Sequence, residues 1–81
     1  MTVNVKFFAI HRELAGQNEV DIDCADGTDG FGLLETLRED FPALGAMKDL
    51  GRFAVNCRFA PLDTVLQDHD EVTFVAPVSG G

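Results

Sequence analysis

Apolar and polar positions alternate at the start of the chain, with Val3, Val5, Phe7 and Ala9 set against Asn4, Lys6 and Phe8. A period of two predicts a β-strand with one face turned to a core. Leu14-Ala15-Gly16-Gln17-Asn18 reads as a turn. Val20, Ile22 and Cys24 then alternate with Glu19, Asp21 and Asp23 as a second, half-solvated strand. Asp26-Gly27-Thr28-Asp29-Gly30 predicts a loop with Thr28 and Asp29 as candidate helix N-caps. From Phe31 the period becomes helical. Phe31, Leu34, Leu37 and Phe41 form the inward stripe, Glu35, Glu39 and Asp40 face water, and Pro42 ends the helix at or near Phe41.

Residues 43–51 are short and mixed, predicting one helical turn around Leu44, Met47 and Leu50. Phe53, Val55, Cys57 and Phe59 alternate as a third strand, with Asn56 on the opposite face. Ala60-Pro61-Leu62 is a loop or short edge piece, Asp68-His69-Asp70 a polar turn, and Val72-Thr73-Phe74-Val75 a last strand running into Ala76-Pro77. The order is β-β-α-β-β. One main helix packed on one face of a mixed four- to five-stranded sheet predicts an α+β domain of the ubiquitin-like β-grasp kind over residues 1–76. Residues 77–81 are expected to form a flexible C-terminal diglycine tail. The first and last strands are expected to pair at the sheet centre, over a core of Val5, Phe7, Ile22, Leu34, Leu37, Val55 and Phe74.

Eighty-one residues support one modest core, and the 46% hydrophobic and 25% charged content is that of a folded globular chain. No apolar run is long enough to span a bilayer and no secretory leader opens the chain, so a cytoplasmic protein is expected, without membrane contact. Fourteen acidic against six basic residues give a net charge of −8, which argues against nucleic acid as a partner because the Lys and Arg clusters that release counterions are missing. Acidity suits a basic protein partner, or serves solubility alone. Cys24 and Cys57 are far apart, form no C-x-x-C pair, and lie on the side assigned to the core as small hydrophobes. With His11 and His69 they show no ligand spacing, so no metal site is expected. Asp68, Asp70 and Glu71 fall short of a calcium loop and read as a solvated turn.

The end of the chain carries the chemistry. Val78-Ser79-Gly80-Gly81 closes on two residues without Cβ, thin enough to enter a channel, and finishes in an α-carboxylate ionised at neutral pH. At average glycine usage such a pair arises by chance in roughly 0.5% of chains. Phe8 and Val75 lie opposite the core-facing residues of their strands. An apolar pair there marks a partner surface, unless a loop or residues 43–51 cover it.

End to end, the chain resembles the small-subunit family of molybdopterin synthase (the MoaD type). The residues that carry the likeness are Val5-Lys6-Phe7-Phe8-Ala9 followed by Arg12-Glu13-Leu14-Ala15-Gly16, then Ala54-Val55-Asn56, Pro61-Leu62, Asp68-His69-Asp70-Glu71-Val72, and Ala76-Pro77-Val78-Ser79-Gly80-Gly81. Departures stand at His69, where the family usually has glycine, at Ala76, often a second proline, and at Val75, commonly a larger apolar residue. Glycine at the turn suggests a positive φ for His69. The resemblance implies that an E1-like adenylyltransferase uses ATP and Mg²⁺ to adenylate Gly81, which then becomes a thiocarboxylate. The tail, Pro77, Val78, Ser79 and Gly80 included, is then inserted into the large synthase subunit to sulfurate a pterin precursor. It also implies that this chain binds no cofactor of its own, and that catalytic groups are in the partners and none in this chain. His11 and Arg12 read as a solvated or ion-paired loop, with a phosphate or pterin role as the alternative. Two other uses of the same tail stay open: a related carrier for thiazole, cysteine or tRNA thiolation, and a ubiquitin-like protein modifier. An electron-transfer β-grasp protein is remote for lack of four clustered cysteines.

Overall fold

Residues 1–47 and 49–76 are described by a computed structural model. The chain runs β1 (Thr2–Lys6), α1 (Ala9–Ala15), β2 (Glu19–Asp23), α2 (Gly30–Asp40), α3 (Pro42–Gly45), β3 (Arg52–Val55), β4 (Arg58–Phe59) and β5 (Glu71–Val75). The strands make one sheet in the order β2-β1-β5-β3-β4, in which β1 and β5 are parallel neighbours and the other pairs are antiparallel. The chain's first and last strands do meet at the centre. With α2 as the main helix beside a mixed sheet, the β-grasp expectation holds.

The first strand is shorter than its alternation predicts. β1 stops at Lys6. Phe7 stays buried, Phe8 is extended, and Ala9 turns the chain into α1 with a φ of 48° that alanine adopts only at a cost. The expected turn at Leu14–Asn18 is instead the end of this helix. Gly16, at φ 75°, closes it by donating its N–H to the Arg12 carbonyl at 2.9 Å. Phe7, His11, Leu14 and Ala15 also fit a helical spacing, so two periods overlap on the same short run, and from Ala9 onward the helical one prevails.

Asp29 caps α2, its Oδ1 accepting from the Gly32 N–H at 3.0 Å, while the Thr28 hydroxyl donates to the Ala25 carbonyl at 2.7 Å. The buried stripe is Gly30, Leu33 and Leu37; Leu34 and Phe41 are half-buried, and Phe31 is 56% exposed. The expected stripe of Phe31 and Leu34 is thus corrected by a small rotation, and Gly30 explains it. A Cβ on Gly30 would lie 2.7 Å from the Leu62 carbonyl oxygen and 3.0 Å from the Phe53 ring, so the helix presses its bare residue onto the sheet. Phe41 keeps its inward role by meeting Phe7 edge to face at 5.5 Å.

Asn56 and Cys57 are not strand residues. Their φ values of 50° and 69° form a two-residue turn of the hairpin-favoured mirror type between β3 and β4. Cys57 is consequently exposed, as is Phe59, whereas Cys24 packs half-buried against the core. His69 takes the positive φ expected of it, 67°, and donates its N–H to the Thr2 carbonyl at 2.7 Å.

Val3, Val5, Phe7, Ile22, Leu33, Leu37, Leu44, Leu50, Phe53, Leu66, Val72 and Phe74 form the core. Of the expected set, Leu34 and Val55 are only half-buried. Truncating Leu37 to Ala should cost about 2–5 kcal/mol, because the side chain is fully enclosed. Phe31→Ala on the same helix should stay within about 0.5 kcal/mol. Urea unfolding of both variants measures the pair, and equal losses would contradict the orientation of α2.

Candidate functional site

β5 occupies the middle of the sheet and delivers the chain, at Val75 and Ala76, to the tail. Pro77, Val78, Ser79, Gly80 and Gly81, the expected tail and modification site, lie outside the described residues.

One face of the sheet is covered by α2. On the other, the registers align Thr2 with Asp23, Asn4 with Asp21 and Lys6 with Glu19 on one side, and Thr73 with Ala54 and Val75 with Arg52 on the other. This open face has two halves. Around β1 and β2 it is polar and acidic. Lys6 Nζ bonds Glu71 at 2.9 Å, and that carboxylate, through hydrogen bond and charge, raises the Lys6 pKa above its ordinary value. Around the end of β5 it is apolar. Val75 is 43% exposed and Phe59 54%, and the Arg52 guanidinium stacks 3.5 Å over the Phe59 ring. Phe8, 56% exposed, follows β1 in extended geometry, beyond the last β1–β5 pair at Lys6 and Thr73. The two residues picked out as partner surface are both exposed. Phe59 and Arg52, assigned to a core-facing strand or unremarked, join them because the Asn56-Cys57 turn reverses the chain.

The other candidates have structural work. Asp68 accepts the Thr2 N–H at 2.8 Å, and this bond, the largest influence on it, holds the carboxyl below its ordinary pKa. Asp70 accepts from the Asn56 amide and from the Gln67 N–H, both at 2.8 Å. These acids tie the turn to its neighbours. Among the described residues, no group of three His, Cys, Asp or Glu side chains could hold a metal ion, and no helix is long and apolar enough to cross a membrane. Arg12 is exposed as expected, but His11 is not in a solvated loop. It is 2% exposed on the inner side of α1, with Nδ1 3.0 Å from the Phe74 carbonyl oxygen. Across β5 from it lies Gly51, at φ 102°, packed against the Val75 backbone. Gly51 did not stand out in the sequence, and His11 stood out only for a solvated role that its burial corrects. The cue for His11 was its place four residues after Phe7. For Gly51 it was the Asp49-Leu50-Gly51 spacing, where Asp49 Oδ1 accepts the Gly51 N–H at 2.8 Å.

The comparisons with known proteins agree with this architecture. The profile of the ThiS family matches residues 5–81. A molybdopterin synthase sulfur carrier subunit from Mycobacterium tuberculosis is 38% identical over 80 residues, spanning 98% of this chain and 96% of its own length. Among solved structures, small archaeal modifier protein 1 of Haloferax volcanii is similar over all of both chains, with a TM-score of 0.87 at 28% identity. A chain from the complex of subunits 1 and 2 of the molybdopterin-converting factor of Helicobacter pylori is similar over all of both chains, at a TM-score of 0.72 and 27% identity. With a profile match over nearly its whole length and a relative of this similarity, the chain belongs to the ThiS family, alongside the molybdopterin synthase sulfur carrier subunits.

Proposed function

We propose that this chain is the sulfur carrier subunit of a molybdopterin synthase and acts through the carboxylate of Gly81. The observation that carries the reading is full-length similarity to sulfur carrier subunits, with a family profile that runs to Gly81. An E1-like adenylyltransferase, holding ATP and Mg²⁺, activates the carboxylate: a carboxylate oxygen attacks the α-phosphate and pyrophosphate leaves. A sulfur nucleophile then displaces AMP from the acyl adenylate, leaving a thiocarboxylate. The thiocarboxylate enters the active site of the large synthase subunit and gives its sulfur to a pterin precursor.

In this reading the chain contributes no acid, base or ligand; the catalytic groups belong to its partners. Its own tasks are to dock and to present a narrow tail. Pro77 fixes φ and biases Ala76 toward extended geometry, and Gly80 and Gly81 keep the end slender. The apolar patch of Phe8, Val75 and Phe59 beside the tail's root suits the large subunit as docking partner, as the partnered Helicobacter pylori relative suggests. The acidic half of the face would speed its approach to a basic surface. The likeness to small archaeal modifier protein 1 favours a second reading, in which Gly81 is joined to lysines of other proteins.

Two experiments address these readings. Incubation with the activating enzyme, ATP and a sulfur donor should raise the mass at Gly81 alone by about 16 Da, as one oxygen is exchanged for sulfur. Deleting Gly81, or adding one residue after it, should leave folding intact and abolish sulfur transfer, since the reacting carbonyl moves by about 3.3–3.6 Å. Recovery of isopeptide-linked chain without thiocarboxylate would replace the carrier reading with the modifier one. For docking, Phe8→Asp should end pull-down of the large subunit with the fold unchanged, and wild-type association should slow as salt rises. Retained binding by that variant would remove the patch from the interface.

A further inference from the structure

We propose that His11 and Gly51 form a clamp that fixes where and in which direction the tail leaves the sheet, a positioning role that rests on the sulfur-carrier reading. The parallel pairing of β1 with β5 covers Asn4–Lys6 against Glu71–Thr73 and goes no further, because the chain after Lys6 departs into α1. The Phe74 carbonyl therefore has no strand opposite it on that side. His11 takes the vacant place, Nδ1 3.0 Å from the Phe74 oxygen. A carbonyl oxygen only accepts, so Nδ1 carries the hydrogen. The ring is 2% exposed, and its Nε2 finds no hydrogen-bond partner among the described residues. Burying a polar ring with one nitrogen unpaired is costly unless the other makes a bond that matters. Here that bond holds the penultimate residue of the strand that bears the tail.

The other side of β5 is held by its antiparallel pairing with β3, Val75 opposite Arg52, and just before that strand by close contact with Gly51. Gly51 stands at φ 102°, where L side chains are strained. A Cβ there would overlap the Val75 carbonyl oxygen and lie 2.6 Å from its carbon and 2.9 Å from the Ala76 Cα. These are backbone atoms, so the tail's root would have to move. Asp49 fixes the position by accepting the Gly51 N–H. Successive carbonyls, of Phe74 and then Val75, are thus held from opposite sides by a side chain on α1 and by the turn before β3. Residues 77–81 reach at most about 18 Å from this root at ~3.3–3.6 Å per residue. A tail threaded to full extension has no slack, so displacement of the root is passed to the reacting carbonyl.

The test compares wild type, His11→Val, His11→Asn and Gly51→Ala as full chains. Two quantities are read: the amide heteronuclear NOE of Val75 and Ala76 in the free protein, and the kinetics of Gly81 adenylation by the activating enzyme. The Val variant should show a lower NOE at both positions and a kcat reduced about tenfold with KM within about twofold of wild type, since the docking face is untouched. The Asn side chain sets an N–H where Nδ1 was and should restore at least half of the kcat. Gly51→Ala should lower kcat from the other side together with the NOE at Val75 and Ala76, and decides the matter if urea unfolding shows that the Val variant does not fold. An unchanged NOE or an unchanged kcat in the Val variant overturns the clamp, as does an Asn variant equally impaired. Absence of adenylation in wild type would sink the carrier reading instead, and the NOE comparison would then decide the clamp alone.

Discussion

The parallel pairing of β1 with β5 is the constraint on which the other features depend. It joins segments at opposite ends of the chain, and the bonds that secure it span 66 residues from Thr2 to Asp68 and 67 from Thr73 to Lys6. Closing so wide a loop costs only about 0.6 kcal/mol more than closing one half as long, so the pairing is affordable in free energy. It is slower to find than local contacts are. Both strands present valines or phenylalanine inward, Val3 and Val5 from one and Val72 and Phe74 from the other. The turn at Asp68–Asp70 fastens their starts, with Asn4 donating its N–H to the Asp70 carbonyl at 2.9 Å. The tail leaves from the middle of the molecule because its strand is the middle strand.

Strands with a clean alternation were legible in the sequence. Val3 and Val5, Val20 and Ile22, and Val72 and Phe74 each read correctly, and the single polar turn before β5 was recognisable from its acids. Two elements were not, for different physical reasons. Around Phe7 the strand and helix periods share residues, and seven residues of α1 are too few for pattern alone to separate them. At Asn56-Cys57 the alternation of Phe53, Val55, Cys57 and Phe59 continues across a turn, which a mirror-type hairpin permits without any glycine to mark it. The rotation of α2 was hidden as well. The residue that sets it, Gly30, contributes no apolar signal, only room.

The site was legible in one respect and hidden in another. Terminal glycines and an outward pair, Phe8 and Val75, are one-dimensional cues, visible in a string of letters. His11 and Gly51 matter through what lies beside them in space, the carbonyls of Phe74 and Val75, and no spacing in the sequence announces that contact. A buried histidine and a lone glycine carry no motif.

The two outer strands of the sheet, β2 and β4, bear on how the protein behaves at high concentration. An unpaired strand edge is a template for a second copy, and sheets left open this way tend to stack into aggregates. The two edges are protected differently. β4 is two residues long, too short to seed a ladder. β2 is five residues long, and its outward positions are Glu19, Asp21 and Asp23, so two copies meeting there would bring rows of carboxylate together. Losing those charges through mutation would leave a pairable edge. Three acids that the core does not require thus serve twice, guarding the edge of the sheet and charging the face proposed to meet a partner.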